Sequence, residues 1–212
     1  MMNGIKFDNV HSYTDLNLVL SQVSIPPATV KTNYVDIPGA DGSVDLTEAL
    51  GEVKYKDRAC KFTLTAFPSD DFEEKKTEVS NLLNGKRCNI ILDKDPDYYW
   101  SGRCSVDEYS SNKNLHKIVV GAVVAPYKLK NNQTKIVVPA GTAVVRNLPG
   151  GRKRVVPTIT CTASATIVFN GNTIELNAGT HKNLTITLVE GSNPVTVTST
   201  GTVTFTYQEG DL

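Results

Sequence analysis

Three aspartates at alternate positions, Asp93, Asp95 and Asp97, are the densest group of possible metal ligands in the sequence. Carboxylates spaced in this way occur in calcium-binding loops, which also need a glycine after the third acid and a distant bidentate glutamate. Here Tyr98 follows the third acid and Pro96 interrupts the segment. We therefore interpret the segment as a solvated turn between two strands, and the sequence predicts no metal site.

The histidines and cysteines are too scattered to form a recognisable site. A structural zinc site usually shows pairs of ligands a few residues apart, and a catalytic histidine needs a nucleophile and an orienting acid. The chain also lacks the GxSxG, P-loop, GxGxxG and HExxH motifs. We predict structural histidines, reduced thiols buried mostly in strands, no cofactor and no enzymatic activity. These residues are His11, His116, His181, Cys60, Cys88, Cys104 and Cys161.

Aromatic side chains concentrate at Tyr98, Tyr99 and Trp100. Such a trio can line a sugar platform or pack at a protein interface, because Tyr and Trp combine a large apolar area with a polar group. The alternative is a strand with one aromatic in the core and its neighbours partly exposed, which we favour. The basic segment 150–154 has no interleaved aromatic residues and is interpreted as a solvated turn, so no nucleic-acid site is predicted.

Composition describes an ordinary globular protein. Of 212 residues, 40% are hydrophobic and 21% charged, and 22 basic residues balance 22 acidic ones. No overall field would attract nucleic acid or an anionic membrane. The first ten residues lack the apolar core of a signal peptide, and the longest apolar run, 118–125, is too short to span a bilayer. We expect the chain to fold in a cytoplasm.

The first part of the chain, residues 1–129, predicts strands around a single helix. Cys60, Phe62 and Leu64 alternate with polar residues, which indicates a strand with one buried face. A helix over 70–84 follows, with Ser69 and Asp70 as candidate caps and Gly85 as its end; Phe72, Val79, Leu82 and Leu83 share one of its faces. A strand over 87–92 and a hairpin of 98–109 with 115–126 complete this part.

A dense cluster of turn formers lies between two predicted strands at residues 38–42. The proline fixes the entry to the turn, and the glycines permit positive φ. We predict that this loop and its flanking strands form an arm that reaches a neighbouring subunit. The candidate interface residues are Pro38, Gly39, Asp41 and Gly42.

Residues 130–212 have the composition of a second, helix-free domain. They contain 16 threonines, against 7 in the first 129 residues, and threonine favours a pleated surface over a helix. Turn signals separate short strands, and Asn170-Gly171 between two apolar triplets is a strong hairpin signal. We also assign turns to 147–151 and 190–194. The pattern predicts a β-sandwich, so the fold class is mainly β: a β-rich domain with one α-helix, then a β-sandwich.

The order of these segments resembles one known family, the distal tail proteins (Dit) of long-tailed phages and related prophage tails. The resemblance extends over the whole chain and depends on spacing, because each motif alone consists of turn and strand residues. The motifs are 35–42, the 55–67 stretch with Arg58, the helix at 70–84, 99–103, 125–127, 155–159, 188–195 and 201–212.

The resemblance implies a structural hub without an active site. Its members have an N-terminal domain that forms a hexameric ring and a galectin-like or carbohydrate-module-like sandwich that projects from the ring. The ring joins the major tail-tube protein to the tail-tip protein of the baseplate, the apparatus for host attachment. The implied location is the virion tail, assembled in the bacterial host cytoplasm. With no large insertion, the chain resembles a minimal hub.

Two other functions remain open. A carbohydrate-binding adhesion module would need an exposed aromatic platform, and residues 130–212 contain only Phe169, Phe205 and Tyr207 as aromatics, which the alternation on their strands places mainly in the core. A wall hydrolase on a β-sandwich would need a carboxylate pair or a metal triad, and the same residues contain just four acids.

Overall fold

The computed structural model describes residues 4–49, 51–68 and 71–212 and has two compact units, 1–126 and 127–212. The predicted caps Ser69 and Asp70 lie outside the described residues. Within the described ranges, no helix is both long and apolar enough to cross a membrane. The fold is mainly β, as the sequence predicts.

The described residues of unit 1 form nine strands and one helix. In chain order these are β1 (Ile5–Phe7), β2 (Val10–His11), β3 (Val19–Ser24), β4 (Tyr34–Asp36), β5 (Ser43–Asp45), β6 (Arg58–Ala66), α1 (Phe72–Leu83), β7 (Arg87–Leu92), β8 (Asp95–Ser111) and β9 (His116–Val124). Seven strands lie side by side in the order β2-β1-β7-β8-β9-β6-β3, and β4 pairs only with β5.

One core holds unit 1 together. Alternate residues of β6, among them Phe62 and Leu64, point inward, as do Val120 of β9 and Ile90 of β7, and all four are fully buried. The helix packs onto this core with its predicted apolar face. Gly85 follows the helix at φ 77°, a left-handed conformation that favours glycine. The buried helical residues are Phe72, Val79 and Leu83.

Unit 2 is a β-sandwich. Its strands are β10 (Lys128–Lys130), β11 (Thr134–Val138), β12 (Gly141–Gly150), β13 (Thr158–Cys161), β14 (Ala165–Phe169), β15 (Asn172–Leu176), β16 (Gly179–Lys182), β17 (Gly191–Ser199), β18 (Val203–Tyr207) and β19 (Gly210–Asp211). Two four-stranded sheets, β11-β18-β13-β16 and β12-β17-β14-β15, share one core. At the β14–β15 turn, Asn170 (φ 48°) and Gly171 (φ 79°) adopt the predicted left-handed pair.

Two predicted turns in unit 2 are strands instead. Pro149 of β12 lies opposite Ser192, and Pro194 of β17 lies opposite Asn147, so segments 147–150 and 191–194 pair with each other. Proline is tolerated because β12 is an edge strand and because β14 pairs with β17 only from Val195 onward. Turn composition was therefore misleading here.

A buried asparagine side chain fixes the entry to β17. Asn193 accepts a hydrogen bond from the Val189 backbone N–H at 2.9 Å and donates to the Val189 and Leu148 carbonyl oxygens at 2.8 and 3.1 Å. The residue is 3% exposed, so water cannot replace these partners in the folded state.

We expect Asn193→Ala to lower the free energy of unfolding of unit 2 by about 2 kcal/mol, because the buried backbone groups lose their partners. Urea unfolding followed by far-UV circular dichroism would measure the loss. The fluorescence of Trp100, the single tryptophan, reports unit 1 and should not change. Asn132→Ala, at an exposed position, is the matched control; an equal effect of both substitutions would contradict the assignment.

Candidate assembly interface

The polar groups that the sequence offers for chemistry make structural contacts within their own unit. No group of three or more possible metal ligands exists among the described residues. Asp93 lies in the turn between β7 and β8 and binds His11 Nε2 at 3.0 Å. His11 Nδ1 accepts hydrogen bonds from the backbone N–H groups of Tyr13 and Thr14, both at 3.2 Å, so the ring stabilises the turn that follows it. His116 is buried and stacks on Phe72, with ring centroids 4.1 Å apart.

The cysteines are buried free thiols in strands, as predicted: Cys60 in β6, Cys88 in β7, Cys104 in β8 and Cys161 in β13. Burial raises the pKa of the Cys60 thiol to about 11 and that of Cys104 to about 12. At neutral pH these two sulfurs are therefore protonated, which disfavours the thiolate that a cysteine nucleophile needs.

The aromatic residues follow the core interpretation as well. Trp100 is buried, while Tyr98 and Tyr99 are half-buried on β8. In residues 130–212 the three aromatic rings are all buried, so no exposed aromatic platform is present in that part of the chain. The residues concerned are Phe169, Phe205 and Tyr207.

The segment between β3 and β6, residues 25–57, which we call the arm, contributes no buried residue to either core among its described residues, and Ile25 at its root packs against the core of unit 1. The arm continues the β3–β6 hairpin beyond the sheet: the Lys56 N–H donates to the Thr29 carbonyl, and the Lys31 N–H to the Lys54 carbonyl, both at 2.8 Å. Farther out, β4 and β5 pair, with Val35 opposite Val44. None of the described residues of the arm is buried.

The outer arm has two chemically different faces. Val35 of β4 lies opposite Val44 of β5, and Ile37 and Leu46 each follow two residues later, just beyond the strand ends. This alternation places the four side chains on one face, where each is 39–50% exposed. The opposite face carries Tyr34 and Ser43 with two aspartates. A strand pair with one apolar face normally packs that face on a core. This face has no covering core among the described residues of its own unit.

The arm is also strongly acidic. Residues 32–53 contain five carboxylates and no Lys or Arg: Asp36, Asp41, Asp45, Glu48 and Glu52. Hydrogen bonds from Thr47 lower the pKa of Asp45, and Asp36 accepts a hydrogen bond from the Ser43 hydroxyl at 2.6 Å. Two charges of the acidic face are thus part of the turn structure.

The predicted interface residues Pro38, Gly39, Asp41 and Gly42 lie at the exposed tip of the arm. The Ala40 N–H donates to the Ile37 carbonyl at 3.1 Å, which closes the turn, and Gly39 and Gly42 have φ of 85° and 76°. These left-handed angles explain why glycine occupies both positions. The contact of these residues with another subunit stays a prediction.

A buried arginine holds the root of the arm. Arg58 is 6% exposed, its guanidinium lies 4.8 Å from the Trp100 ring centroid, and its Nη1 donates to the Pro26 carbonyl at 3.3 Å. The other guanidinium nitrogens, Nε and Nη2, have no hydrogen-bond partner among the described residues. Burial lowers the pKa of Arg58. This polar group is costly to bury, and it fixes the point at which the arm leaves the sheet.

The fold has a known counterpart. This chain is similar to a solved structure, the SPP1 Dit (gp 19.1) protein, described as "a Paradigm of Hub Adsorption Apparatus in Gram-positive Infecting Phages". The match covers 98% of this chain and 99% of the SPP1 chain, with a TM-score of 0.71 and 14% sequence identity. The chain has the Dit fold. The resemblance inferred from the order of motifs is confirmed at that level. No family model and no curated protein matches the sequence.

Sequence reasoning found the tip of the arm through its turn formers but missed the aliphatic face. The signal was present in the alternation of Val35 with Ile37 and of Val44 with Leu46. An alternating strand pair normally faces its own core, however, and only the structure reveals that the described residues of unit 1 leave this face exposed.

We expect Val35→Asp combined with Val44→Asp to change the free energy of unfolding of unit 1 by less than about 0.5 kcal/mol, because these side chains pack on no core. Urea titration of Trp100 fluorescence at low protein concentration would measure it. Val120→Asp, the same substitution at a fully buried valine of β9, should cost about 3 kcal/mol or more. A comparable loss in the arm variant would mean that the arm packs on its own unit.

Proposed function

We propose that this protein is a structural hub of a phage tail tip, which forms a ring between the tail tube and the receptor-binding apparatus of the virion. Residues 1–129 form the ring, six copies in number, and residues 130–212 are the accompanying sandwich. The partners are further copies of the chain, the major tail-tube protein and a tail-tip protein. The observation that carries the proposal is the Dit fold, matched over nearly the whole chain by a protein titled as a hub.

The arm supplies a physical reason for self-association. A two-stranded hairpin is at best marginally stable alone in water, and its four exposed aliphatic side chains gain on the order of 1 kcal/mol each when a partner covers them. The arm and the surface that receives it differ, so the contact is head-to-tail. Head-to-tail contacts generate rings when the rotation closes.

A hub of this kind needs no catalytic centre, which agrees with the structural roles of His11, His116 and the buried cysteines. A carbohydrate-binding module would need aromatic rings at the surface of residues 130–212, and the rings there are buried. The observations therefore favour an assembly role over sugar binding.

We expect the purified chain to form six-fold rings at high concentration, and deletion of residues 38–44 to leave monomers or small open oligomers. Light scattering coupled to size exclusion measures the mass, and negative-stain imaging counts the subunits. The deletion removes exposed residues of the arm tip, so the far-UV spectrum and the Trp100 unfolding midpoint should change little.

The matched control shortens the turn at 112–114, which is exposed and lies between β8 and β9. If rings persist without residues 38–44, the tip of the arm is not part of the interface. A chain that stays monomeric at every concentration and binds oligosaccharide would instead support the adhesion-module alternative.

A further inference from the structure

Four side chains form a row across the outer face of the unit 1 sheet. Ala59 of β6 lies opposite Val123 of β9, Val123 opposite Arg103 of β8, and Arg103 opposite Arg87 of β7. The residues next to them in each strand, such as Cys60, Val124 and Cys88, point into the core. The row therefore faces away from the core, and half of it is apolar and half basic.

The row is open to a partner. Val123 is 56% exposed, although it lies in an inner strand of the sheet, and Arg87 and Arg103 are exposed as well. A shallow depression of about 420 Å³ runs along the three, with Asn84 and Asp57 at its border. A large exposed valine beside two guanidinium groups suits an acidic, aliphatic ligand.

The charges of this surface are largely unused within the chain. Arg87 makes no side-chain hydrogen bond or ion pair with any described residue, and Arg103 donates only to the Gly85 carbonyl. Two acids lie nearby: Asp57 at the border, and Asp107, which is held by the Ser105 hydroxyl at 2.6 Å. The two arginines therefore keep donors free for a carboxylate.

We infer that this row is the docking site for the arm of a second copy, an inference that rests on the proposed assembly role. The arm offers the complementary chemistry: an aliphatic face, acids and no basic residue between positions 32 and 53. Val35, Val44 and their neighbours cover Ala59 and Val123. Asp41 lies at the tip of the arm and Glu48 follows β5, and neither carboxylate makes a hydrogen bond or ion pair with a described residue. These two carboxylates pair with the arginines of the row.

The occupant is a second copy because the arm of the same chain leaves the row uncovered. The arm joins β6 at Arg58, one residue before Ala59, yet Val123 and the described arm residues are all exposed or half-exposed. The arm and the row that receives it thus lie at different places on one chain, which is the arrangement that a head-to-tail ring requires. The aliphatic contact supplies affinity, and the charges set register and association rate.

Charge exchange between the two surfaces tests the inference. Arg87→Glu with Arg103→Glu should weaken self-association by about 10- to 100-fold, because attraction becomes repulsion. Adding Asp41→Lys and Glu48→Lys to the same chain should restore it. Lys113→Glu, an exposed charge in the β8–β9 turn, is the control and should have no effect. Sedimentation equilibrium at fixed salt measures all four proteins.

Mixing two incomplete variants gives a stricter readout. The chain without residues 38–44 keeps the row and loses the tip of the arm, including Asp41 and Val44, whereas the Arg87→Glu, Arg103→Glu chain keeps the arm and loses the positive charges of the row. At a concentration at which the wild-type chain forms rings, each variant alone should form no ring and run mainly as monomer. The mixture should form a 1:1 complex that cannot grow, because it has one contact and no further free pair. A mixture that remains monomeric overturns the inference.

The failure of this inference and that of the proposed function are distinguishable. If deletion of residues 38–44 abolishes rings while the arginine reversals leave them intact, the row is not the docking site of the arm and the assembly role stands. If the wild-type chain never associates, both fail. Should the double reversal unfold, because Arg103 holds the Gly85 carbonyl, Arg87→Glu alone carries the test, and an unchanged association constant for it contradicts the inference.

Discussion

The structure depends on one unmet requirement: the aliphatic face of the arm needs a surface to cover it. Val35, Ile37, Val44 and Leu46 have the alternation of a core-facing strand pair, but they extend beyond the sheet that should bury them. Apolar area left in water costs free energy in proportion to its size, and a two-stranded hairpin is at best marginally stable alone in water. An arm of this composition is therefore stable chiefly when a partner completes its core.

The arm is anchored to unit 1 at its root. The β3–β6 hairpin carries its hydrogen-bond ladder from the buried sheet into the arm, so the same backbone belongs to a packed core at one end and to an exposed surface at the other. Arg58 lies at the transition, against Trp100 and Pro26, and two of its nitrogens have no hydrogen-bond partner in the part of the chain that the structure describes. A costly buried group at the junction of core and arm fits a position kept for assembly, where local rules of folding are often broken.

Much of this fold was predictable, and the failures have identifiable causes. The strand over 87–92, the helical face of Val79 and Leu83, and the Asn170-Gly171 turn follow from local periodicity and turn chemistry. Pro149 and Pro194 led to a wrong prediction of turns, because strand positions with one unpaired side tolerate proline. Strand pairing, not composition, decides which positions are unpaired. The row of Ala59, Val123, Arg103 and Arg87 was out of reach for a similar reason: its members are up to 64 residues apart in sequence, and only cross-strand register brings them together.

The central claim is that residues 33–46 are exposed in the single chain and covered in the assembly. Amide hydrogen exchange measures this directly, with the wild-type chain compared between dilute monomer and concentrated assembly, since the β4–β5 ladder exchanges slowly only when it is held closed. We predict fast exchange of these amides in the monomer, strong protection in the assembly, and unchanged exchange in β12 and β17. Equally fast exchange of residues 33–46 in both states would contradict it.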